Sequence, residues 1–171
     1  AFGGIANGGV ACEPIVIDRF VEADGGRIEG QSSKCRQGIT PDVAAAVAAP
    51  MRSVITGGTG SRSNPGGDVP VIGKTGTTDS QVQTWMVGSS TKVATAVWVG
   101  NVLGDYKMSN YRNGTVLRHD IWRIIMQDAN EQYGGGSFPA APDRLLQGSG
   151  IELPSITGMS VDEATILLES L

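Results

Sequence analysis

The spacing of apolar and polar positions predicts a sheet in the middle of the chain. Residues 69–72, 82–87 and 93–99 are three runs rich in valine and other strand-forming residues, with short polar segments between them. The first two runs are close enough to form a hairpin, and the third follows after a turn at Ser89 and Ser90. We therefore expect three consecutive strands of an antiparallel sheet.

Helical periodicity occurs on both sides of this sheet. Thr40 is the predicted N-cap and Pro41 the first residue of one helix, and a second is expected over about residues 120–133, just after His119. An antiparallel sheet covered by helices is an α+β fold, which we predict for this chain. The residues expected to face its core are Val43, Val47, Met51 and Val54 on the first helix, and Trp122, Ile125, Met126 and Ala129 on the second.

The N-terminal part of the sequence predicts a helix end followed by a hairpin. Residues 1–7 are typical of the last turns of a helix closed by glycines, which indicates a piece of a longer protein. A strand over 14–21, a turn around Asp24 and a weak strand over 27–30 should follow. Cys12 and Cys35 flank this hairpin, so a disulfide is geometrically reasonable, although two buried free thiols fit the sequence as well.

Composition narrows the class of protein. The chain has 171 residues, 40% of them hydrophobic and 18% charged, which is typical of one globular domain with a small appendage. Its net charge of −4 argues against nucleic acid or an anionic membrane as a partner. We also expect no membrane contact by this chain, because no apolar run approaches the ~20 residues of a membrane span.

The candidate chemistry lies at the end of the first strand, in the tetrad Lys74-Thr75-Gly76-Thr77. Such a strand can offer an ammonium, two hydroxyls and a free backbone N–H to a carboxylate or a developing oxyanion, and a glycine lets a ligand approach the backbone closely. An ordinary edge strand with polar residues facing water is the simpler interpretation. A nucleotide-binding P-loop fits less well, because the glycine that its spacing requires would fall at Asp68.

A longer series of motifs resembles a known family, the transpeptidase domains of class A penicillin-binding proteins, which are bifunctional peptidoglycan synthases. The resemblance covers about residues 1–145. The motifs that carry it are Gly-Lys-Thr-Gly-Thr-Thr at 73–78, an aromatic followed by Val-Gly at 85–88, and Val-Trp-Val-Gly at 97–100, with further landmarks at 6–10, 58–60 and 121–122.

The resemblance implies a D-alanyl-D-alanine transpeptidase that cross-links peptidoglycan stem peptides through a serine acyl-enzyme and is inhibited by β-lactams. In that family Lys74 would be catalytic, and so would Thr77, whose backbone N–H would serve the oxyanion hole. Thr75, Gly76, Thr77 and Thr78 would bind substrate. The family needs no metal or organic cofactor, and it works on the extracytoplasmic face of the membrane, anchored by a segment that would lie outside this chain.

The nucleophile of that chemistry is expected upstream, in another part of the same domain. Ser89-Ser90-Thr91-Lys92 matches the serine-x-x-lysine pattern, but it falls between two strands, whereas the pattern works on a helix turn. No serine stands two positions before any asparagine. His119 and Asp120 replace the Ala-Pro that the family tends to carry, and a single histidine makes a metal site improbable.

The predicted organisation has three parts. Residues 1–133 are the C-terminal part of the transpeptidase domain, 134–150 form a linker rich in glycine and proline, and 151–171 resemble the start of a PASTA repeat. Ser160 and Glu163 form a capping box before a short helix, which could also be a terminal helix of the main domain. Two other functions remain open, a non-catalytic module that binds peptidoglycan or β-lactams and a β-lactamase-like hydrolase.

Overall fold

The computed structural model describes residues 1–147 and 154–169. Its helices and strands give the α+β fold that the sequence predicts. The helices are α1 (Phe2–Ala6), α2 (Pro41–Thr56), α3 (Leu117–Tyr133), α4 (Asp143–Leu146) and α5 (Val161–Glu169). The strands are β1 (Val10–Cys12), β2 (Arg19–Val21), β3 (Arg27–Glu29), β4 (Cys35–Gln37), β5 (Ile72–Thr77), β6 (Gln83–Ser89) and β7 (Ala94–Gly100).

The predicted central sheet is confirmed, with strand order β5-β6-β7 and antiparallel pairing throughout. Helices α2 and α3 both contribute to the core on one face of it. The buried cluster comprises Ile55, Val71, Met86, Val97, Trp122 and Met126. A side chain at Gly73 would crowd this core, because a Cβ at this position would lie 2.6 Å from the Cε of Met86 and 2.9 Å from the Cδ1 of Ile55.

Helix α2 begins as predicted, but it buries a different face. The Thr40 hydroxyl accepts a hydrogen bond from the Val43 N–H, and Pro41 is the first helical residue. Val43 is 38% exposed, so its predicted place in the core is wrong, and Val47, Met51 and Val54 are only half-buried. Small side chains let the helix backbone approach the sheet closely, which favours an alanine stripe over the valines. The buried residues of α2 are Ala44, Ala45, Ala48 and Ile55.

Helix α3 starts at Leu117, so His119 lies in its first turn and not before it. Trp122, Met126 and Ala129 are buried as predicted, whereas Ile125 is 42% exposed, which corrects its assignment to the core. His119 takes a buried place on this face because its ring nitrogens find polar partners there. The indole Nε1 of Trp122 donates to the Thr95 carbonyl at 3.1 Å and fixes the helix to β7.

The N-terminal segment forms two small antiparallel pairs, β1 with β4 and β2 with β3. The strand predicted over 14–21 is shorter and covers only Arg19–Val21, because the N–H groups of Val16 and Ile17 donate to the Gln31 side chain and not to a ladder. Cys12 and Cys35 face each other in register and are joined by a disulfide. Closing a loop with a sequence separation of 23 residues stabilises the fold by roughly 3 kcal/mol in the chain-entropy model.

The segment after α3 contacts the main body. The Gly136 N–H donates to the Thr91 hydroxyl at 2.8 Å, and an ion pair between Arg144 and Asp42 joins α4 to α2. Before α5, the predicted capping box is confirmed: the Glu163 carboxylate accepts from the N–H and the hydroxyl of Ser160 at 2.9 and 2.7 Å. These bonds hold the pKa of Glu163 below its usual value.

The apolar side chains of α5 are only partly buried. Ala164 and Leu167 are half-buried, whereas Val161 is exposed, and Leu171 lies outside the described residues. The prediction for 151–153 falls outside them as well. Across 1–147 and 154–169, none of the helices is long and apolar enough to cross a membrane.

Candidate active site

The candidate site is built on the open edge of β5. Within the described residues β5 pairs only with β6. The Thr78 N–H donates to the Gln83 carbonyl at 3.0 Å, and the register then makes Gly76 and Trp85 the next pair that exchanges backbone hydrogen bonds. Backbone groups alternate in direction along a strand, so the N–H and C=O groups of Thr75 and Thr77 point to the open edge.

The side chains of the tetrad divide between the two faces of the sheet. Thr75 and Thr77 stand opposite the buried Met86 and Thr84, so their hydroxyls lie on the core side. Lys74 is exposed on the other face, but its Nζ donates to the Thr75 carbonyl at 3.0 Å. That carbonyl points to the open edge, which brings the ammonium to the same edge as the two threonine N–H groups.

Gly76 lies between Thr75 and Thr77 in the strand, on the face of the sheet that carries Trp85. A Cβ at Gly76 would lie 3.2 Å from the Cβ of Trp85, which is tighter than most real contacts. The glycine therefore has a packing reason to be there besides the close approach to a ligand that the sequence suggests.

Two further threonines contact this edge in different ways. The Thr75 hydroxyl lies 3.0 Å from the hydroxyl of Thr59, in the turn that follows α2. The Thr78 hydroxyl accepts from the Gln83 N–H at 3.0 Å and so closes the β5–β6 connection. Thr75 and Thr77 are thus at the candidate site together, while the Thr78 side chain is occupied by the hairpin.

Sequence-based prediction missed a polar chain that reaches β5 from α3. Arg118 Nη1 donates to the Gly76 carbonyl and to the Thr77 hydroxyl, both at 3.0 Å. Arg118 Nε donates to His119 Nε2 at 3.1 Å, and His119 Nδ1 lies 2.7 Å from the hydroxyl of the buried Ser63. The sequence did contain one signal for these contacts: His119 and Asp120 stand where the family tends to carry Ala-Pro.

The contacts of His119 determine its protonation state. An arginine Nε can only donate, so His119 Nε2 must accept, and the neutral ring carries its proton on Nδ1, which donates to Ser63. Burial lowers the pKa of His119, and the nearby cations Arg118 and Arg62 lower it further, against an opposing effect of Asp120. The ring is therefore neutral at pH 7.

This arrangement predicts a loss of stability in mild acid. The folded-state pKa of His119 is depressed, so its contribution is fully present above the unfolded-state pKa of about 6.5 and is lost as the pH falls below that value. We expect the free energy of unfolding, measured by urea denaturation, to decrease between pH 7.5 and 5.5 by up to about 1.4 kcal/mol, the most that one histidine with this unfolded-state pKa can contribute over this range. His119 is the only histidine, so His119→Gln should flatten the profile in this window. An equal slope in both proteins would contradict the assignment.

An ion pair supports the same region from outside. Arg62 Nε and Nη2 donate to the two carboxylate oxygens of Asp120 at 2.9 and 2.8 Å. The hydrogen bond to Arg62 is the main reason why the pKa of Asp120 is lowered. This fork ties the turn that carries Ser63 to the first turn of α3, which carries Arg118 and His119.

The serine-x-x-lysine motif is not placed for catalysis. Ser89 ends β6, is 1% exposed, and its hydroxyl donates to the carbonyls of Ser90 and Val93. The Ser90 hydroxyl accepts from the N–H groups of Lys92 and Val93. Both hydroxyls therefore stabilise the β6–β7 turn. In the parts of the chain that the structure describes, no three histidine, cysteine, aspartate or glutamate side chains gather as a metal site.

A lysine-threonine-glycine motif of this kind, here at the open edge of an antiparallel sheet, is a feature of penicillin-binding proteins and serine β-lactamases. The chain belongs to the penicillin-binding protein transpeptidase family: the model of the penicillin binding protein transpeptidase domain matches residues 1–127. The resemblance read from the motifs is thereby confirmed.

Individual relatives agree with this assignment. The chain is 30% identical to penicillin-binding protein 1A of Aquifex aeolicus over 143 residues, covering 82% of this chain and 19% of that protein. It is 33% identical to penicillin-binding protein 1A of Clostridium acetobutylicum over 131 residues, covering 76% and 16%. The solved structure of penicillin-binding protein PonA1 from Mycobacterium tuberculosis superposes with a TM-score of 0.71 at 28% identity, over 89% of this chain and 43% of that one. The chain thus spans less than a fifth of these curated relatives and under half of the PonA1 structure.

Proposed function

We propose that this chain supplies the lysine-threonine-glycine wall of a serine-type D-alanyl-D-alanine transpeptidase. The observation that carries the proposal is the open edge of β5, where the N–H groups of Thr75 and Thr77 and the Lys74 ammonium converge. An extended peptide can add to such an edge as a further strand, with main-chain hydrogen bonds supplying affinity. The substrate would be a peptidoglycan stem peptide ending in D-alanyl-D-alanine.

In this proposal each group has a separate task. The hydroxyls of Thr75 and Thr77 donate to the terminal carboxylate of the stem peptide, and Lys74 attracts that carboxylate by its charge. The Thr77 N–H points to the open edge and stabilises the oxyanion that develops on the carbonyl under attack. Lys74 also favours the deprotonated form of the attacking serine.

The attacking serine would come from a part of the same domain outside this chain. Its Oγ forms an ester with the carbonyl of the penultimate D-alanine, and the terminal D-alanine leaves with a proton on its amine. The amine of a second stem peptide then displaces the serine and forms the cross-link. A β-lactam would acylate the same serine, with ring opening in place of D-alanine release. These steps need no metal or organic cofactor.

The wider setting is also a proposal. We infer that the parent protein is a class A enzyme with a glycosyltransferase domain, and that it is held at the extracytoplasmic face of the bacterial membrane by a segment outside this chain. An oxidising compartment agrees with the Cys12–Cys35 disulfide. The segment that contains α5 would begin a PASTA-like module, and its capped helix is compatible with that assignment.

The test of this function is turnover by the complete parent protein. It should release D-alanine from a stem peptide ending in D-alanyl-D-alanine when an acceptor amine is present, and a penicillin should abolish the release. The same peptide with an amidated C-terminus should react at least about tenfold more slowly, because a charge-assisted hydrogen bond is lost. Release that neither penicillin nor amidation affects would contradict the proposal.

A further inference from the structure

The side chain of Arg118 makes a set of contacts that the proposed mechanism does not use. Its Nη1 donates to the Gly76 carbonyl and to the Thr77 hydroxyl at 3.0 Å, and its Nε donates to the His119 ring at 3.1 Å. Arg118 is half-buried on the first turn of α3 and is 41 residues away from Thr77 in the sequence. These contacts fix a guanidinium directly beside the strand that carries the carboxylate-binding hydroxyls.

This guanidinium lacks an anionic partner in the part of the chain that the structure describes. The ion pairs found there involve Arg19, Arg62 and Arg144, but not Arg118. Burial lowers the pKa of Arg118, which reflects the cost of removing its charge from water without a carboxylate nearby. An anion that bound next to Thr77 would offset this cost.

The hydrogen bond from Arg118 also determines which further hydrogen bonds the Thr77 hydroxyl can make. A threonine hydroxyl has one hydrogen to donate and two lone pairs that can accept. Because Arg118 Nη1 donates to this oxygen, one lone pair is occupied and the hydroxyl hydrogen points away from the guanidinium. The Thr77 hydroxyl is thereby prepared to donate to a ligand.

We propose that Arg118 is a positioning residue for carboxylate recognition: it orients the Thr77 hydroxyl as a donor to the carboxylate of the acyl donor and places a positive charge beside it. The inference rests on the proposed function, which assigns that carboxylate to Thr75 and Thr77. His119 and Ser63 serve the same end, since the neutral ring accepts from Arg118 Nε and is itself held by Ser63.

The experiment compares acylation of the complete parent protein by a penicillin and by its methyl ester, which lacks the carboxylate. Arg118→Gln should slow acylation by the free acid about tenfold, because a hydrogen bond to a charged group is weakened, and should change acylation by the ester less than about twofold. Arg118→Lys keeps the charge but not the fixed fork, so its rate with the free acid should be intermediate. Arg112→Gln removes an equal charge from an exposed loop position and serves as the control.

A double substitution distinguishes orientation from a merely structural role. Because Arg118 acts in part through the Thr77 hydroxyl, Arg118→Gln should slow acylation by the free acid less in the Thr77→Val background than in the unmutated protein. Thermal melting of every variant shows whether the fold is kept, and Arg118→Lys provides the measurement if Arg118→Gln does not fold.

Several outcomes would overturn the inference: equal slowing of acid and ester, no slowing of the acid, full activity of Arg118→Lys, or additive effects with Thr77→Val. None of these outcomes contradicts the proposed function, which is contradicted instead if Lys74→Ala leaves acylation intact. Slower acylation with Lys74→Ala and unchanged acylation with Arg118→Gln would therefore reject only the role of Arg118.

Discussion

Lys74→Ala in the complete parent protein is expected to slow acylation by a penicillin about 100-fold or more, because a preorganised charge at the reacting centre is lost. The same change should lower the thermal stability only slightly. Lys74 is exposed, and the described residues give its ammonium one hydrogen bond, to the Thr75 carbonyl, and no ion pair. Rates follow from the time course of covalent labelling, and stability from thermal melting.

Ser89→Ala is the matched control for this experiment. It removes a buried hydroxyl that donates to the Ser90 and Val93 carbonyls, so it should cost about 1 kcal/mol of stability while leaving the acylation rate nearly unchanged. Lys74→Ala should thus lose acylation rate but little stability, whereas Ser89→Ala should lose stability but little acylation rate. A Lys74→Ala rate within about threefold of the unmutated protein, less than 1 kcal/mol of barrier, would reject the assigned role.

The isolated chain of 171 residues is expected to remain unlabelled by a fluorescent penicillin. Covalent catalysis needs an activated nucleophile within hydrogen-bond reach of a base. The serine-x-x-lysine motif cannot supply one, because the Ser89 hydroxyl is buried and engaged with backbone carbonyls in the β6–β7 turn. The β5 edge by itself would only attract carboxylates weakly.

Adding the preceding part of the parent's transpeptidase domain, as a co-expressed fragment, should restore labelling. Mass spectrometry should then find the label on a serine of the added fragment and none on this chain. The Lys74→Ala form of this chain should fail to restore normal labelling when it is combined with the same fragment, which links the two experiments. Stoichiometric labelling of the isolated chain, above all at Ser89, would refute this division of the site.

The sequence by itself predicts the features that depend on contacts between residues close together in the chain. The Thr40 and Ser160 caps depend on a side chain bonding to an N–H three residues away, so their residue types alone predict them. The β5–β6 hairpin is equally local, since its polar connection and strand-forming flanks are contiguous. The candidate tetrad was therefore visible in the sequence, together with its place at the end of a strand.

Tertiary structure decided which faces and which distant partners these elements use. Val43 and Ala44 both fit a helical stripe, and only the closeness of α2 to β5 selected the alanine face. The contact of Arg118 with Gly76 spans 42 residues and that of His119 with Ser63 spans 56. No local propensity encodes such pairs, because they form only after α3 and the turn that follows α2 have packed beside the same sheet. The sequence alone determined the chemistry that β5 can offer, while packing determined how Arg118 orients it.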